Sequence, residues 1–220
     1  YLESDPERGR RMMKSAPLHW DAHRMSAATF VALLLPVIAT VILRGPEMFA
    51  PVAIGLSLGL LWSFVFSVLR KSTVQWHSLI SALIFVVLLP VATPVWQLVI
   101  SLSFGLVFGD LIFGVRGRGF LNAAVVGLAF LLFSFPAIEP DSGAPQVAIA
   151  AGLGGALLLA YGVLSWRIVA AFGLCIAVLV PFLPTSADLQ NLQSATVILG
   201  LVFLIGDPVA ASSTHLGRWL

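Results

Sequence analysis

The few polar residues that could support chemistry lie at the ends of long apolar runs. Asp110 follows Gly109 near the end of one run, and Asp207 closes a later run as Gly206-Asp207-Pro208. Carboxylates at membrane depth are costly and are usually functional. Each also has a purely structural interpretation, because Asp110 could pair with Arg116 or Arg118 and Asp207 could form an Asp-Pro turn.

A third polar residue stands between these two in the sequence. Asn122 follows the basic glycine turn Arg116–Gly119 and opens another apolar run. An asparagine there can cap a helix, and its amide could equally hydrogen-bond a polar ring. The sequence contains no Ser/His/Asp arrangement, phosphate-cradling loop or CxxC motif, and its four histidines lack metal-ligand spacing. The residues alone therefore predict a candidate site on the cytoplasmic side, without a reaction and without catalytic residues.

The composition predicts an all-α, polytopic membrane protein. Apolar residues make up 59% of the chain, charged residues only 10%, and the mean hydropathy is +1.02, whereas soluble domains carry roughly 25% charged residues. The net charge of +2 gives no indication of nucleic-acid binding. The single cysteine, Cys175, excludes an intrachain disulfide, and its apolar surroundings predict a packed small side chain.

Eight apolar runs are candidate membrane crossings, several of them long enough for the ~30 Å hydrocarbon layer. The runs are Ala27–Leu43, Phe49–Leu69, Ser78–Val91, Val95–Gly114, Phe120–Pro136, Val147–Leu164, Ile168–Leu183 and Leu192–Ile205. Residues 1–25 form a polar segment without the apolar core of a signal peptide, which predicts a cytoplasmic tail. Residues 26–220 are predicted to form one transmembrane domain.

The basic residues predict the orientation of these crossings. If the N-terminus is cytoplasmic and the crossings alternate, eleven of the twelve Lys and Arg residues fall inside. Only Arg44 falls outside, together with Glu47, Glu139, Asp141 and Asp188. This asymmetry follows the positive-inside rule and predicts that topology.

Prolines and glycines suggest that some crossings are not simple helices. Pro90 and Pro94 bracket three residues, and Pro181 and Pro184 do something similar late in the chain. Such pairs can mark interrupted helices at a transporter-like binding site, or they can simply end helices beside external loops. The glycines of Gly152–Gly155 predict close helix packing.

Several motifs, taken together, resemble the NqrB/RnfD family of membrane subunits of ion-pumping NADH:quinone and ferredoxin:NAD oxidoreductases. They are Gly105–Gly114, Gly117-Arg-Gly-Phe-Leu-Asn122, the helix ending Ser134-Phe-Pro136, Ser165-Trp-Arg-Ile168 and Phe203-Leu-Ile-Gly-Asp-Pro-Val209. The resemblance implies a subunit of a respiratory or photosynthetic electron-transfer complex in the bacterial cytoplasmic membrane. It also implies partner membrane subunits, with quinone as a candidate electron acceptor. By the same resemblance, Asn122, Asp207, Phe120 and Arg118 are the candidate residues for binding riboflavin or FMN without a covalent bond.

The departures from the family pattern bear on the cofactor. Members carry covalent FMN on a threonine in an S/T-G-A-T motif, whereas this chain has Ser142-Gly-Ala-Pro145, and proline has no hydroxyl for the phosphoester. We therefore expect no covalent FMN. The motif proline after Asn122 is replaced by Ala123, which weakens the match for the flavin site. A non-redox accessory or structural subunit, or a carrier of a flavin-like small molecule, remains the alternative function.

Overall fold

The computed structural model describes residues 22–71, 77–91, 93–112, 121–138, 143–179 and 194–206. Within these ranges all regular structure is helical, which confirms the all-α prediction. The helices are α1 (Ala22–Arg44), α2 (Phe49–Arg70), α3 (His77–Val87), α4 (Val95–Phe104), α5 (Ala123–Ser134), α6 (Pro145–Ala160), α7 (Trp166–Leu179) and α8 (Ala195–Leu199). One π-helix continues α4 over Gly105–Leu111, and a second continues α8 over Gly200–Ile205.

Each of the eight predicted apolar runs overlaps one of these helical segments in the part of the chain that the structure describes. In the described part of the chain, two helices, Met25–Arg44 and Pro46–Arg70, are long and apolar enough to cross a membrane, and six further apolar helices have 10–17 residues. Pro94 directly precedes α4 in an extended conformation, and Pro90 follows the turn that ends α3. This first proline pair therefore lies between two helices, while Pro181, Pro184 and the N-terminal tail to residue 21 lie outside the described residues.

Helix α3 is half the length of its neighbour and runs antiparallel to it. A Cβ on Gly55 of α2 would lie 2.7 Å from the Val86 side chain, and one on Gly59 would lie 3.3 Å from the Ser78 carbonyl oxygen. The start of α3 therefore lies beside the middle of α2. Eleven residues span only about 16 Å of helix, and every residue of α3 after His77 is buried.

The first π-helix and α5 pack backbone to backbone in an antiparallel pair. A Cβ on Gly105 would collide with the Ala123 carbonyl oxygen, and one on Gly109 would lie 2.7 Å from the Ala123 Cα. A further glycine, Gly127, lies beside the Ser101 carbonyl oxygen and the Phe85 ring. Only glycine allows this approach, which brings the end of the π-helix beside the beginning of α5.

Helix α6 lies between α1 and α8, and adjacent glycines make both contacts. Pro36 has no N–H for the Ala32 carbonyl one turn earlier, and this oxygen would lie 2.7 Å from a Cβ on Gly154. Gly155 lies equally close to Val202 of the second π-helix. The close packing predicted for these glycines is confirmed, whereas a Cβ on Gly152 would meet no atom within 4 Å.

Helix α7 is peripheral and buries none of its residues. Cys175 lies on this helix and is exposed. The prediction of a packed cysteine was wrong, because an apolar run surrounds both core and peripheral residues of a membrane helix. Hydropathy alone does not distinguish a side chain that faces protein from one that faces lipid.

Candidate functional site

Asn122 is the one predicted flavin-binding residue that the structure describes, and it caps α5. Its backbone is extended, and its Oδ1 accepts a hydrogen bond of 2.9 Å from the Ala124 N–H. This bond satisfies one of the donors that the first turn of a helix leaves without a partner. The cap occupies the carbonyl end of the amide, so the –NH₂ end is the part that could bind a ligand.

Asp110 belongs to the first π-helix and is half-buried. Gly109 beside it contacts Ala123, the residue after Asn122, so the carboxylate and the cap lie on neighbouring elements. The π-helix ends with a hydrogen bond of 2.9 Å from the Ile112 N–H to the Val107 carbonyl oxygen. Short π-helices are rare and occur frequently at functional sites.

An arginine from another helix binds the end of this π-helix. Arg70 closes α2, and its Nη2 donates a hydrogen bond of 2.6 Å to the Ile112 carbonyl oxygen. The guanidinium also lies 5.4 Å from the centre of the Phe66 ring. A cation at a helix C-terminus complements the partial negative charge of the unpaired carbonyls. Arg70 therefore connects the C-terminal end of α2 to the C-terminal end of the first π-helix, so both ends lie at the same end of the molecule.

A second arginine, Arg44, makes a similar hydrogen bond to a backbone carbonyl at the opposite end of the helices. Arg44 closes α1, and its Nη1 donates a hydrogen bond of 2.8 Å to the Leu89 carbonyl oxygen, just beyond the end of α3. Arg44 is the residue that departs from the predicted charge asymmetry. Its contact gives a structural reason for keeping a cation at this position.

Three of the four predicted flavin-binding residues lie outside the part of the chain that the structure describes. Arg118, Phe120 and Asp207 lie outside the described residues, as do the proposed Asp110 partner Arg116 and the Asp-Pro turn. The residue before Asp207, Gly206, contacts the Leu164 side chain in the connection between α6 and α7. Whether the candidate residues form one site stays a prediction.

The two π-helices share a sequence feature that the motif analysis did not use. Both begin with Gly-Leu-Val-Phe, at Gly105 and at Gly200, and both contain or precede a Gly-Asp pair. The second ends with a bond of 2.9 Å from the Gly206 N–H to the Leu201 carbonyl oxygen. The repeated tetrapeptide was the available signal that these two positions are structurally related.

Sequence analysis also missed several buried polar atoms on α3 and α4. Ser78, Ser81 and Ser101 are no more than 1% exposed. Their hydroxyl oxygens and the Gln97 Oε1 have no hydrogen-bond partner among the described residues. The only signal in the sequence was helical spacing. Ser78 and Ser81 are three residues apart, and Gln97 and Ser101 are four residues apart. Among the described residues no cluster of three or more His, Cys, Asp or Glu side chains could hold a metal ion.

Comparisons with known proteins cover nearly the whole chain. A family model described as the NQR2, RnfD, RnfE family matches residues 15–141 and 137–220. Among similar proteins, the B subunit of the Na(+)-translocating NADH-quinone reductase of Pseudomonas paraeruginosa is 27% identical over 81% of this chain and 58% of its own length. The corresponding protein of Yersinia pestis is 28% identical over 82% of this chain and 58% of its own length. The chain thus spans less than two thirds of these curated relatives.

Proposed function

The chain belongs to the NQR2, RnfD, RnfE family, and from this premise we propose that it is an integral membrane subunit of an ion-translocating electron-transfer complex. The relatives named as subunits of a Na(+)-translocating NADH-quinone reductase support this assignment. The apolar composition and the helical segments support a multi-pass location in the bacterial cytoplasmic membrane, with the N-terminus inside. The observation that carries the proposal is the family match from residue 15 to residue 220.

We further propose that the cytoplasmic start of α5 binds a flavin without a covalent bond. The Asn122 amide suits this role, because its Oδ1 is used by the helix cap and its –NH₂ group can donate to a ring carbonyl. The α5 N-terminus adds a partial positive charge, which favours electron-rich ring oxygens. Phe120, Arg118 and Asp207 complete the proposed set, and a bound flavin would supply the one- and two-electron chemistry.

The residues present do not fit a covalent flavin. Pro145, which stands where the family pattern has a threonine, is the first residue of α6. It has no hydroxyl that could form a phosphoester. Proline is favourable at this position because the N–H of the first helical residue has no partner within the helix, so its absence costs nothing. Pro145 therefore favours the start of α6 at this point.

The proposal is tested by the visible spectrum of the purified protein. We expect flavin absorption that passes through an ultrafiltration membrane after denaturation, because the ligand is not bonded to the chain. Flavin absorption that stays with the denatured chain would contradict the non-covalent site. A colourless protein that also fails to bind added riboflavin or FMN would contradict any flavin site.

A second candidate is an accessory subunit without redox function, or a carrier of a flavin-like molecule. The observation that favours it is the replacement of the threonine hydroxyl by Pro145. Purification of the intact complex distinguishes the candidates: a redox subunit bleaches when the complex is reduced with NADH, and an accessory subunit contributes no bleaching. Uptake of riboflavin into vesicles that contain the chain alone would identify a carrier.

A further inference from the structure

Three phenylalanines of α4, the first π-helix and α5 form a continuous stack of rings. The centre of the Phe104 ring lies 4.6 Å from the centre of the Phe108 ring and 4.4 Å from that of the Phe130 ring, with interplanar angles of 30° and 22°. Stacked rings attract each other beyond the burial of their apolar area. Phe130 also meets the Phe135 ring edge-on at 6.5 Å. Among the described residues the stack therefore continues beyond Phe130 and ends at Phe108.

Phe108 is the most exposed ring of the stack. It is 51% exposed, whereas Phe104 and Phe130 are only partly exposed. An exposed apolar side chain needs no special explanation in itself. This ring, however, is supported from behind by the parallel Phe104 ring. The exposed part of Phe108 is therefore a flat apolar surface with a defined orientation, as a planar aromatic ligand requires.

The end of the stack lies beside the start of α5, where the flavin is proposed. Gly109 follows Phe108, and a Cβ on Gly109 would lie 2.7 Å from the Ala123 Cα and 3.2 Å from the Ala123 nitrogen. Ala123 directly follows the cap residue Asn122. Because the π-helix and α5 are antiparallel, Phe108 lies nearer to the cap than Phe104 does.

The spacing along α5 places the cap and the stack on one side of this helix. Asn122 and Phe130 are eight residues apart, which corresponds to roughly 12 Å of helix. Residues at spacings of four lie one above the other on a helix surface. The Phe130 ring belongs to the same stack as Phe108. Phe108 thus lies on the Asn122 side of α5, between the cap and the deeper rings.

A flavin ring system has two ends that match these two residues. Its pyrimidine end carries carbonyl oxygens, to which the Asn122 –NH₂ group can donate. Its other end is an apolar aromatic ring. The three fused rings are together roughly as long as two helical turns, about 11 Å. A flavin with its polar end at Asn122 therefore reaches the level of Phe108.

We propose that Phe108 is the stacking residue of the flavin site, so that the isoalloxazine adds a layer to the Phe130–Phe104–Phe108 stack. This inference rests on the flavin site proposed at the start of α5. Phe108 orients the plane of the ring system, and Asn122 fixes its polar end. The stack favours a planar aromatic molecule over a non-aromatic molecule of similar polarity.

Fluorescence of added riboflavin bound to tryptophan variants in nanodiscs tests the proposal. An indole in contact with an excited flavin quenches it by transferring an electron, which then returns. We expect Phe108→Trp to lower the fluorescence of the bound flavin at least fivefold relative to the unaltered protein. Phe49→Trp is the matched control, because Phe49 is 63% exposed and begins α2, whose opposite end, Arg70, contacts the π-helix. Its fluorescence should equal that of the unaltered protein.

The outcomes separate this inference from the proposed function. Flavin that binds to Phe108→Trp and fluoresces as in Phe49→Trp would overturn the stacking and leave the flavin site intact, with Phe108 in contact with lipid only. Unaltered protein that binds neither riboflavin nor FMN would overturn both.

A titration with riboflavin provides the second measurement and decides the question where Phe108→Trp does not retain flavin. Phe108→Leu keeps an apolar side chain but removes the ring. We expect it to weaken riboflavin binding about 2- to 10-fold, the range expected for one aromatic stacking contact. Phe49→Leu should bind as the unaltered protein does. Equal dissociation constants for the two leucine variants would overturn the stacking.

Discussion

Asn122 combines a structural contact with a proposed binding contact in one amide. Its oxygen accepts a hydrogen bond from the Ala124 N–H at the start of α5. Its –NH₂ group is the part proposed to donate a hydrogen bond to the flavin. The two functions can be separated because serine also caps helices but has no –NH₂ group. A substitution that changes only the nitrogen end therefore isolates the ligand contact.

We expect Asn122→Ala to lose both functions and Asn122→Ser to lose only one. Loss of the cap should cost about 1 kcal/mol of unfolding free energy in the alanine variant, whereas the serine variant should unfold near the unaltered protein. Both variants should lose bound flavin in the visible spectrum. Full flavin content in Asn122→Ser would show that the amide nitrogen is not the contact.

Arg44 provides the second prediction at this scale. Its hydrogen bond to the Leu89 carbonyl oxygen is partly buried and charge-assisted. We expect Arg44→Gln to lower the unfolding free energy by roughly 1–2 kcal/mol, since a hydrogen bond from a charged group contributes more to stability than one between neutral groups. Glu47→Gln, three residues later and exposed, should change it little. Equal thermal midpoints for the two variants would indicate that the Leu89 contact contributes no stability.

At the scale of elements, the glycines decide which helices approach closely. Gly105 and Gly152 both lie in apolar helical segments, yet a Cβ on the first would collide with the Ala123 backbone and a Cβ on the second would meet nothing. Backbone cannot move aside as a flexible side chain can. The two positions therefore form a matched pair.

We expect Gly105→Ala to destabilise the protein by several kcal/mol or to prevent folding, since forced overpacking typically costs about 1–3 kcal/mol even against side chains. Gly152→Ala should be neutral or stabilising by up to about 1 kcal/mol, because alanine favours helix. Thermal unfolding in detergent, or the folded yield where Gly105→Ala does not fold, provides the measurement. Similar behaviour of both variants would contradict the close approach of the π-helix and α5.

The elements also show which features the sequence could predict. Apolar runs predicted all eight helical segments, because burial in lipid or protein requires apolar side chains along each helix. The π-helices were not predicted, since a shift of hydrogen bonds to the fifth residue leaves hydropathy unchanged. The Arg44–Leu89 contact joins residues 45 positions apart, and no local pattern encodes such a pair. Capping was one of the two roles considered for Asn122, because capping depends on the residue and its immediate neighbours.

At the scale of the whole molecule, the contacts among the described residues group the helix ends into two opposite ends of the molecule. One end holds Arg70, the end of the first π-helix and the cap residue Asn122, joined through the Ile112 and Ala123 contacts. The other holds Arg44 and the break between α3 and α4. If the first end faces the cytoplasm, as the charge asymmetry predicts, the flavin site proposed at Asn122 is accessible to cytoplasmic electron donors. The orientation therefore decides which donors the site can meet.

This orientation can be tested with two exposed positions, Glu47 beside Arg44 and Lys71 beside Arg70. In a Cys175→Ser background, Glu47→Cys should react with a membrane-impermeant maleimide on intact spheroplasts, because position 47 is predicted outside. Lys71→Cys should react only after permeabilisation. The parent without cysteine reports background labelling, and detergent-solubilised samples show that both thiols are reactive. The reverse pattern would place the Asn122 end outside, where a cytoplasmic donor could not reach the proposed flavin.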